Sequence, residues 1–401
     1  MKNQSREIVV VGGGPAGLVA AIALSGAGLE TALVVGPRQD SDHRTTALLM
    51  GSVKALDVLG VWTACRDHAA PLCVMRIVDD TDRLLRAPEV RFDASEIGLK
   101  EFGYNIENQH LVAALHARAQ AHGNLTIVNE AADHVLAGDD GVTIRMQSGA
   151  TMSARLAVGA DGRRSLCRLA AGISTRTRHY RQTALTFNLA HSRPHRNIST
   201  EFHTEAGPFT LVPLRGNRSS LVCVVDPNDA PRLQALSDSD MAAEIERRSH
   251  SILGKITIEA GRGYFPLVAE TAQKLAARRI VLVGEAAHVL PPIGAQGLNL
   301  GMRDAATIAE LAADARRTGM DVGSALVTDG FEHMRRADVT SRALAVDVLN
   351  RSLLSDFLPA QGMRGLGLFL LEQIGPLRRA AMREGVTPAT SQPRLMRGEA
   401  V

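Results

Sequence analysis

Aromatic side chains are scarce: nine Phe, three Tyr and one Trp make up 3% of the chain. That excludes a stacking platform for nucleobases, which needs several exposed rings. It also leaves any internal pocket to aliphatic groups. Cysteines are few as well. Cys65, Cys73, Cys167 and Cys223 form no CxxC pair and no zinc spacing, so reduced, buried thiols of a cytosolic protein are expected, not disulfides or a metal site. An excess of one charge is lacking: 45 Lys and Arg against 42 Asp and Glu leave +3, too little to mark a nucleic-acid binder or a protein for acidic ligands. No apolar run reaches the roughly 18 to 20 residues that span a bilayer. No signal-type segment opens the chain, because Ile8–Val11 ends in glycines rather than at a cleavage site. Repeats and low-complexity tracts are absent. What remains is an α/β protein whose 401 residues suffice for two closely joined domains.

Ile8-Val9-Val10-Val11 has the composition of a buried parallel strand. It runs into Gly12-Gly13-Gly14-Pro15-Ala16-Gly17 and a helix through Leu18, Ala21, Ile22 and Leu24 that closes near Gly26 and Gly28; Thr31 to Val35 follows as a strand. The spacing of Gly12, Gly14 and Gly17 is the dinucleotide fingerprint in its strand–turn–helix setting: a tight turn, a close backbone approach to pyrophosphate, and tight helix–strand packing. One part is missing. The acid that should end the second strand and bind a ribose is replaced by Gly36. Asp40, Asp42, a water or the backbone alone stand open as substitutes, and Arg38 is either a 2′-phosphate contact or a solvated charge.

Further along, Ser52 is expected to cap a helix carrying Val53, Leu56 and Leu59 and stopped by Gly60. Short alternating runs from Val74 to Tyr104 read as strands, and Asn105 to His122 as a helix. Leu125–Val128, Val142–Met146 and Leu156–Ala160 are strands. The last leads into Asp161-Gly162-Arg163-Arg164-Ser165-Leu166-Cys167-Arg168, a DGxxSxxR motif: an acid at a strand end, a glycine, then a serine placed to cap a helix. Ala184–Ala190, Phe209–Leu214, Ser220–Val225 and Gly263–Val268 read as strands of one mostly antiparallel sheet, with a hairpin at Arg215–Arg218. Between Arg163 and Arg196 eleven Arg and His occur with no acid. Pyridine-nucleotide phosphates, a membrane surface and plain solvent are its alternative partners.

The stretch from Arg279 to Asp304 organises the rest. A short apolar strand stops at Gly284-Glu285, His288 follows, Pro291-Pro292 makes a rigid turn, and Gly294-Ala295-Gln296-Gly297-Leu298-Asn299 opens a helix. Such an opening aims unpaired N–H groups and the positive end of a helix dipole at whatever lies in front. His288 is either a general base or a hydrogen-bonded structural side chain. From Phe331 the chain is helical and amphipathic, with Leu344, Val348, Leu349 and Leu353 on one face and Leu366, Phe369, Leu370 and Ile374 on another.

In this order, the three motifs and Arg44 resemble the flavoprotein aromatic hydroxylases of the para-hydroxybenzoate hydroxylase type, and within them the ubiquinone-biosynthesis hydroxylases. The resemblance implies a Rossmann-like α/β FAD-binding domain (1–73, 105–180 and 269–330) interleaved with a mostly antiparallel substrate-covering sheet (74–104 and 181–268) and a C-terminal helical segment (331–401). It implies FAD contacts at Gly12, Gly14, Pro15, Ala16 and Gly17, at Arg44 from the substrate side, and at Asn108, which also suits a helix N-cap. Asp161 would serve FAD and the pyridine nucleotide. Gly284, Glu285, Pro292, Gly294, Gln296, Gly297, Leu298 and Asn299 complete the set, with Glu285 standing where relatives usually have Asp. No catalytic side chain and no metal are implied. The implied activity is hydroxylation of a polyprenyl phenol by NAD(P)H and O2 through a flavin C4a-hydroperoxide. No second fingerprint is visible, so the reductant is expected in a groove. Other ubiquinone-biosynthesis proteins and the inner membrane surface are the expected partners, nucleic acid is not, and the location is cytoplasmic. Two rivals stand beside it: a hydroxylase of small phenolic acids, and a flavin-holding subunit of a quinone-biosynthesis assembly with little turnover.

Overall fold

The structure is a computed structural model that describes residues 4–37, 42–82, 86–354, 358–386 and 392–401, with backbone alone at 352–354 and 358–364. Arg38, Asp40 and the side chain of Leu353 lie outside the described residues.

The strand Gln4–Val11, apolar on both faces over Ile8 to Val11, sits inside an eight-stranded sheet. Thr31–Val34 and Leu125–Val128 continue the sheet on one side, Thr151–Gly159 and Ile280–Leu282 on the other, all parallel. Parallel strands of this composition need both faces covered. The helices Pro15–Gly26 and Gln296–Arg317, packed on one another through the core, supply part of that cover. A hairpin of Ala132–Ala137 and Val142–Met146 is added antiparallel at Thr151–Gly159; its first strand is not legible in the sequence pattern. Neighbouring strands join the first strand on opposite sides, so the carboxyl ends of Gln4–Val11 and Thr151–Gly159 (Val11 level with Gly159) meet at the switch point of the sheet, where doubly wound sheets bind ligands.

A nine-stranded, mostly antiparallel sheet lies beside it. Its spine is Thr175–His191, flanked by Arg218–Val225 and Gly263–Ala272; Ile198–Thr204, unexpected from the sequence, pairs with Gly207–Leu214 and runs parallel to Val74–Asp79. Leu185, Phe187, Phe209 and Leu221 pack on Met241 and Ile245 of the helix Asp238–Arg248. The opposite face carries Ala184, Val224 and Leu267.

Two local expectations need correction. The helix expected from Asn105 begins at Asn108, because Asn105, Ile106 and Glu107 are paired with Ala47, Thr46 and Thr45 in a separate three-stranded sheet with Ala70–Leu72. Ser52 is not a cap: the helix runs Met50–Val58 with Leu49 at its N-cap, and the Ser52 hydroxyl donates inward to Asn299 Oδ1 at 2.7 Å. Gly60, at φ +72°, does close that helix.

The C-terminal helices are Ala325–Leu354, Leu358–Gln373 and Gly375–Val386. Leu368, Met382 and Val386 close over Val90, Phe92 and Phe102. Among the described residues no helix is long and apolar enough to cross a membrane. The four cysteines are free, with Cys65, Cys167 and Cys223 buried.

Candidate cofactor site

The glycine turn is made by steric necessity. Gly12 has φ +116°, and a Cβ there would lie 2.2 Å from the Ala160 carbonyl oxygen at the end of the neighbouring strand; a Cβ on Gly17 would lie 2.1 Å from Gly12 O. Both positions exclude a side chain for the sake of the fold. Gly14 differs. Its Cβ position meets no atom of the described residues within 4 Å, and the residue is exposed, so the fold itself leaves room for a side chain there. Gly14 is also the N-cap of the helix Pro15–Gly26, which has no side-chain cap and no acid in its first turn. Its first N–H groups and dipole are therefore left for an external anion.

The helix Gln296–Arg317 begins the same way: no side-chain cap, no acid in the first turn, and an N-cap Ala295 in the left-handed region at φ +53°. Gly294, at φ +66°, precedes it. Gln296 donates from Nε2 to Gly294 O at 3.0 Å, while its Oε1 is buried without a donor among the described residues. The two helices converge. A Cβ on Gly284 would lie 3.1 Å from Ala16 Cβ, and one on Gly301 would lie 3.0 Å from Gly284 Cα. Pro292 is exposed and Leu298 half-buried beside this junction. Glu285 is the exposed member of Gly284–Ala287, and its charge reaches Arg44.

Arg44 and Asn108 meet at Asp42. The Asp42 carboxylate accepts from Arg44 Nε at 2.7 Å and Nη2 at 2.8 Å, and from Asn108 Nδ2 at 2.9 Å. Burial opposes ionisation of Asp42, but these hydrogen bonds outweigh it and leave the carboxyl below its ordinary range; the same bond to Asp42 raises Arg44. The guanidinium also lies 5.9 Å from the ring centre of Phe265 on the nine-stranded sheet. Asn108 is not a cap, since that helix has Glu107 at its N-cap; its Oδ1 accepts from Thr46 Oγ1 at 2.6 Å.

Asp161 and Asn299 are used by the protein itself. Asp161 accepts from Ser165 Oγ at 2.5 Å and from the Leu166 and Cys167 N–H groups at 2.7 and 3.1 Å, while Ser165 Oγ caps Arg168 N. Arg168 then donates to Ala286 O at 2.9 Å and pairs with Glu270 at 3.1 Å, which fastens the DGxxSxxR motif to the Gly284–His288 segment. Asn299, 1% exposed, accepts from Leu49 N and Ser52 Oγ and donates to Ala47 O and Ala295 O. All four amide positions are filled, so the side chain is spent on the protein itself. His288 is buried, with Nε2 2.6 Å from Asp304 Oδ2; of the two roles weighed for it, the geometry is that of a structural histidine.

The FAD binding domain family matches residues 5–326. The chain belongs to this FAD-binding family. The flavoprotein is 34% identical to the ubiquinone hydroxylase UbiL of Rhodospirillum rubrum, over 98% of this chain and 92% of the relative. It is 31% identical to the 3-demethoxyubiquinol 3-hydroxylase of Escherichia coli, over 96% and 99%. Its fold matches the p-nitrophenol 4-monooxygenase PnpA of Pseudomonas putida with a TM-score of 0.78 at 19% identity, over 95% and 98% of the two chains. The flavoprotein is an FAD-dependent monooxygenase of aromatic compounds, as its three motifs implied.

Sequence reasoning missed Phe265 and Asp304. Asp42, one of the open candidates for a ribose, accepts hydrogen bonds from Arg44. Asp304 had a signal: an acid in the alanine-rich, wholly buried run from Leu300 to Ala309, where a charge must have a partner.

Proposed function

We propose that this monooxygenase hydroxylates the ring of a polyprenylated phenol on the way to ubiquinone, with NAD(P)H as electron donor and O2 as co-substrate. The observation that carries the reading is the convergence of two uncapped helix N-termini at Ala16, Gly284 and Gly301, with open space at Gly14. The residues fit FAD on these grounds. Gly12, Gly14, Pro15, Ala16 and Gly17 would hold its pyrophosphate, Glu285 its ribityl hydroxyls, and Gly294, Gln296, Gly297 and Leu298 its ring, with Gln296 Oε1 gaining the donor it lacks. Arg44, Asn108, Asp161, Pro292 and Asn299 border the same site. When bound, FAD supplies two-electron redox chemistry and the activation of O2. The helix beginning at Gln296 would bring the positive end of its dipole to the ring, which would favour a negative charge there by about 0.3 to 2 kcal/mol.

The substrate class is supported by the printed activities of the relatives and by the aliphatic face of the covering sheet at Ala184, Val224 and Leu267. In this reading 1–73, 105–180 and 269–330 hold the cofactor, 74–104 and 181–268 cover the substrate, and 331–401 form the helical segment. The helical segment is also the surface we assign to the inner membrane. Leu344 and Val348 are 60% and 57% exposed, and Asp347 between them pairs with Arg178 of the basic run, so apolar and basic groups share one surface. Other enzymes of the same biosynthesis are the proposed protein partners.

The test is turnover. The protein is incubated with FAD, NADPH or NADH, air and a panel of demethoxy and demethyl polyprenyl phenols, and products are identified by mass. Gain of one oxygen atom by a polyprenyl phenol is expected. Reduction of the flavin with no oxygenated product, or turnover of small phenolic acids alone, would overturn the reading.

A further inference from the structure

Asp304 lies on the helix Gln296–Arg317 with 1% of its surface exposed, and three segments converge on it. Its Oδ2 accepts from Gly284 N at 3.1 Å and from His288 Nε2 at 2.6 Å; its Oδ1 accepts from Arg335 Nε at 2.8 Å. Gly284 and His288 are the two ends of the segment that carries Glu285, and Gly284 turns that segment at φ +60°. His288 Nδ1 is buried with no partner among the described residues. The ring is thus held from one end alone, by Asp304. On the far side, Arg335 belongs to the long C-terminal helix and passes its Nη1 to Asp338 at 2.8 Å, which also pairs with Arg303 at 2.8 Å. Two buried carboxylates meet two buried guanidiniums, and Arg342 adds a longer contact to Asp338 at 3.5 Å. Such a set is a weak source of net stability, but removing one member leaves its partner buried and unpaired. Its best-attested use is to fix register between elements, and here the register concerns a cofactor-binding carboxylate.

We propose that Asp304 is the positioning residue for Glu285: it pins both ends of the 284–288 segment and, through Arg335, sets that segment against the C-terminal helix. The inference rests on the assignment of Glu285 to the ribityl chain of FAD. Neither Asp304 nor His288 touches the cofactor in this scheme. Their effect passes through the backbone of Gly284 and the seat of Glu285.

The experiment compares the full-length protein with Asp304→Asn, His288→Leu, His288→Gln, Arg335→Met and the Asp304→Asn/Arg335→Met double variant. The dissociation constant of FAD is read by flavin fluorescence on the apoprotein, with the visible spectrum of bound flavin and the far-ultraviolet melting curve of the apoprotein alongside. Asp304→Asn and His288→Leu should each weaken FAD by about tenfold or more, the size of a lost charge-assisted buried hydrogen bond. His288→Gln retains an N–H donor and should stay within about threefold of the parent. The double variant should cost less than the two singles summed, because one path is cut twice. A folded Asp304→Asn or His288→Leu protein with parental affinity and spectrum overturns the proposal, as does His288→Gln behaving like His288→Leu. If Asp304→Asn does not fold, the His288 pair and Arg335→Met decide in the same way. Parental protein that is folded yet fails to bind FAD would overturn the functional reading itself, a different result from parental binding unaffected by the substitutions.

Discussion

Alanine at Gly14 and alanine at Gly17 should part company, because one new methyl meets emptiness and the other meets backbone. A Cβ on Gly17 falls 2.1 Å from Gly12 O, and overpacking of that kind costs about 1 to 3 kcal/mol; urea unfolding of the Gly17→Ala apoprotein should show it. Gly14→Ala meets no atom and needs no unusual backbone, so apoprotein stability should hold to within about 0.5 kcal/mol while FAD affinity falls. Equal loss of stability in both would refute the reading of Gly14 as ligand space. Asp304 gives a second prediction. Burial raises its carboxyl, but the contacts with His288 and Arg335 prevail and hold it at about 2, below an unfolded value of about 3.9. A depressed carboxyl contributes stability above its unfolded value and loses it as pH falls through the folded one. Melting temperature should therefore drop between about pH 4 and pH 2, and Asp304→Asn should flatten that part of the profile. At this scale the sequence named the glycines and Glu285 because motif spacing is local. The roles of Asp42, Asp161 and Asn299 were hidden because the partners of Asp42 and Asn299 are set by the fold, and capping and ligation call for the same residue types.

Among elements, the helix Gln296–Arg317 is the one on which most depends, and Asn299 is its attachment. Asn299→Ala would leave Ser52 Oγ without its partner in a buried place, and Leu49 N and Ala47 O without theirs in half-buried ones. Each unsatisfied buried group costs about 1 to 3 kcal/mol, so a loss of at least about 2 kcal/mol in denaturant unfolding is expected, along with weakened flavin retention. A change under about 0.5 kcal/mol would show that water replaces the amide. Long periodic elements were legible: the first strand and helix, the hairpin at Arg215–Arg218, and the C-terminal amphipathic run. Asn105–Glu107 was taken into the helix that follows because helical spacing at Leu111 and Leu115 outweighs three residues. Only pairing with Thr45–Ala47, which is more than fifty positions away, makes those residues a strand.

For the molecule as a whole, the basic run and the amphipathic helix, which sequence left as separate features, become neighbours through Asp347, where Arg178 and Tyr180 both end. Binding to vesicles of anionic phospholipid is expected, weakened by salt and by the double change Leu344→Glu/Val348→Glu. Apolar burial and basic attraction together are what reversible surface attachment needs. Co-sedimentation that ignores both changes would dismiss this surface. The domain interleaving itself was readable from the order of motifs, but not the short pairing of His288–Val289 with Glu270 and Thr271.

That small ladder ties the margin of the covering sheet to the loop behind Glu285. The nine-stranded sheet and the segment carrying Glu285 are thereby sewn together along one seam. A shift of that sheet edge must either carry the segment with it or break those hydrogen bonds.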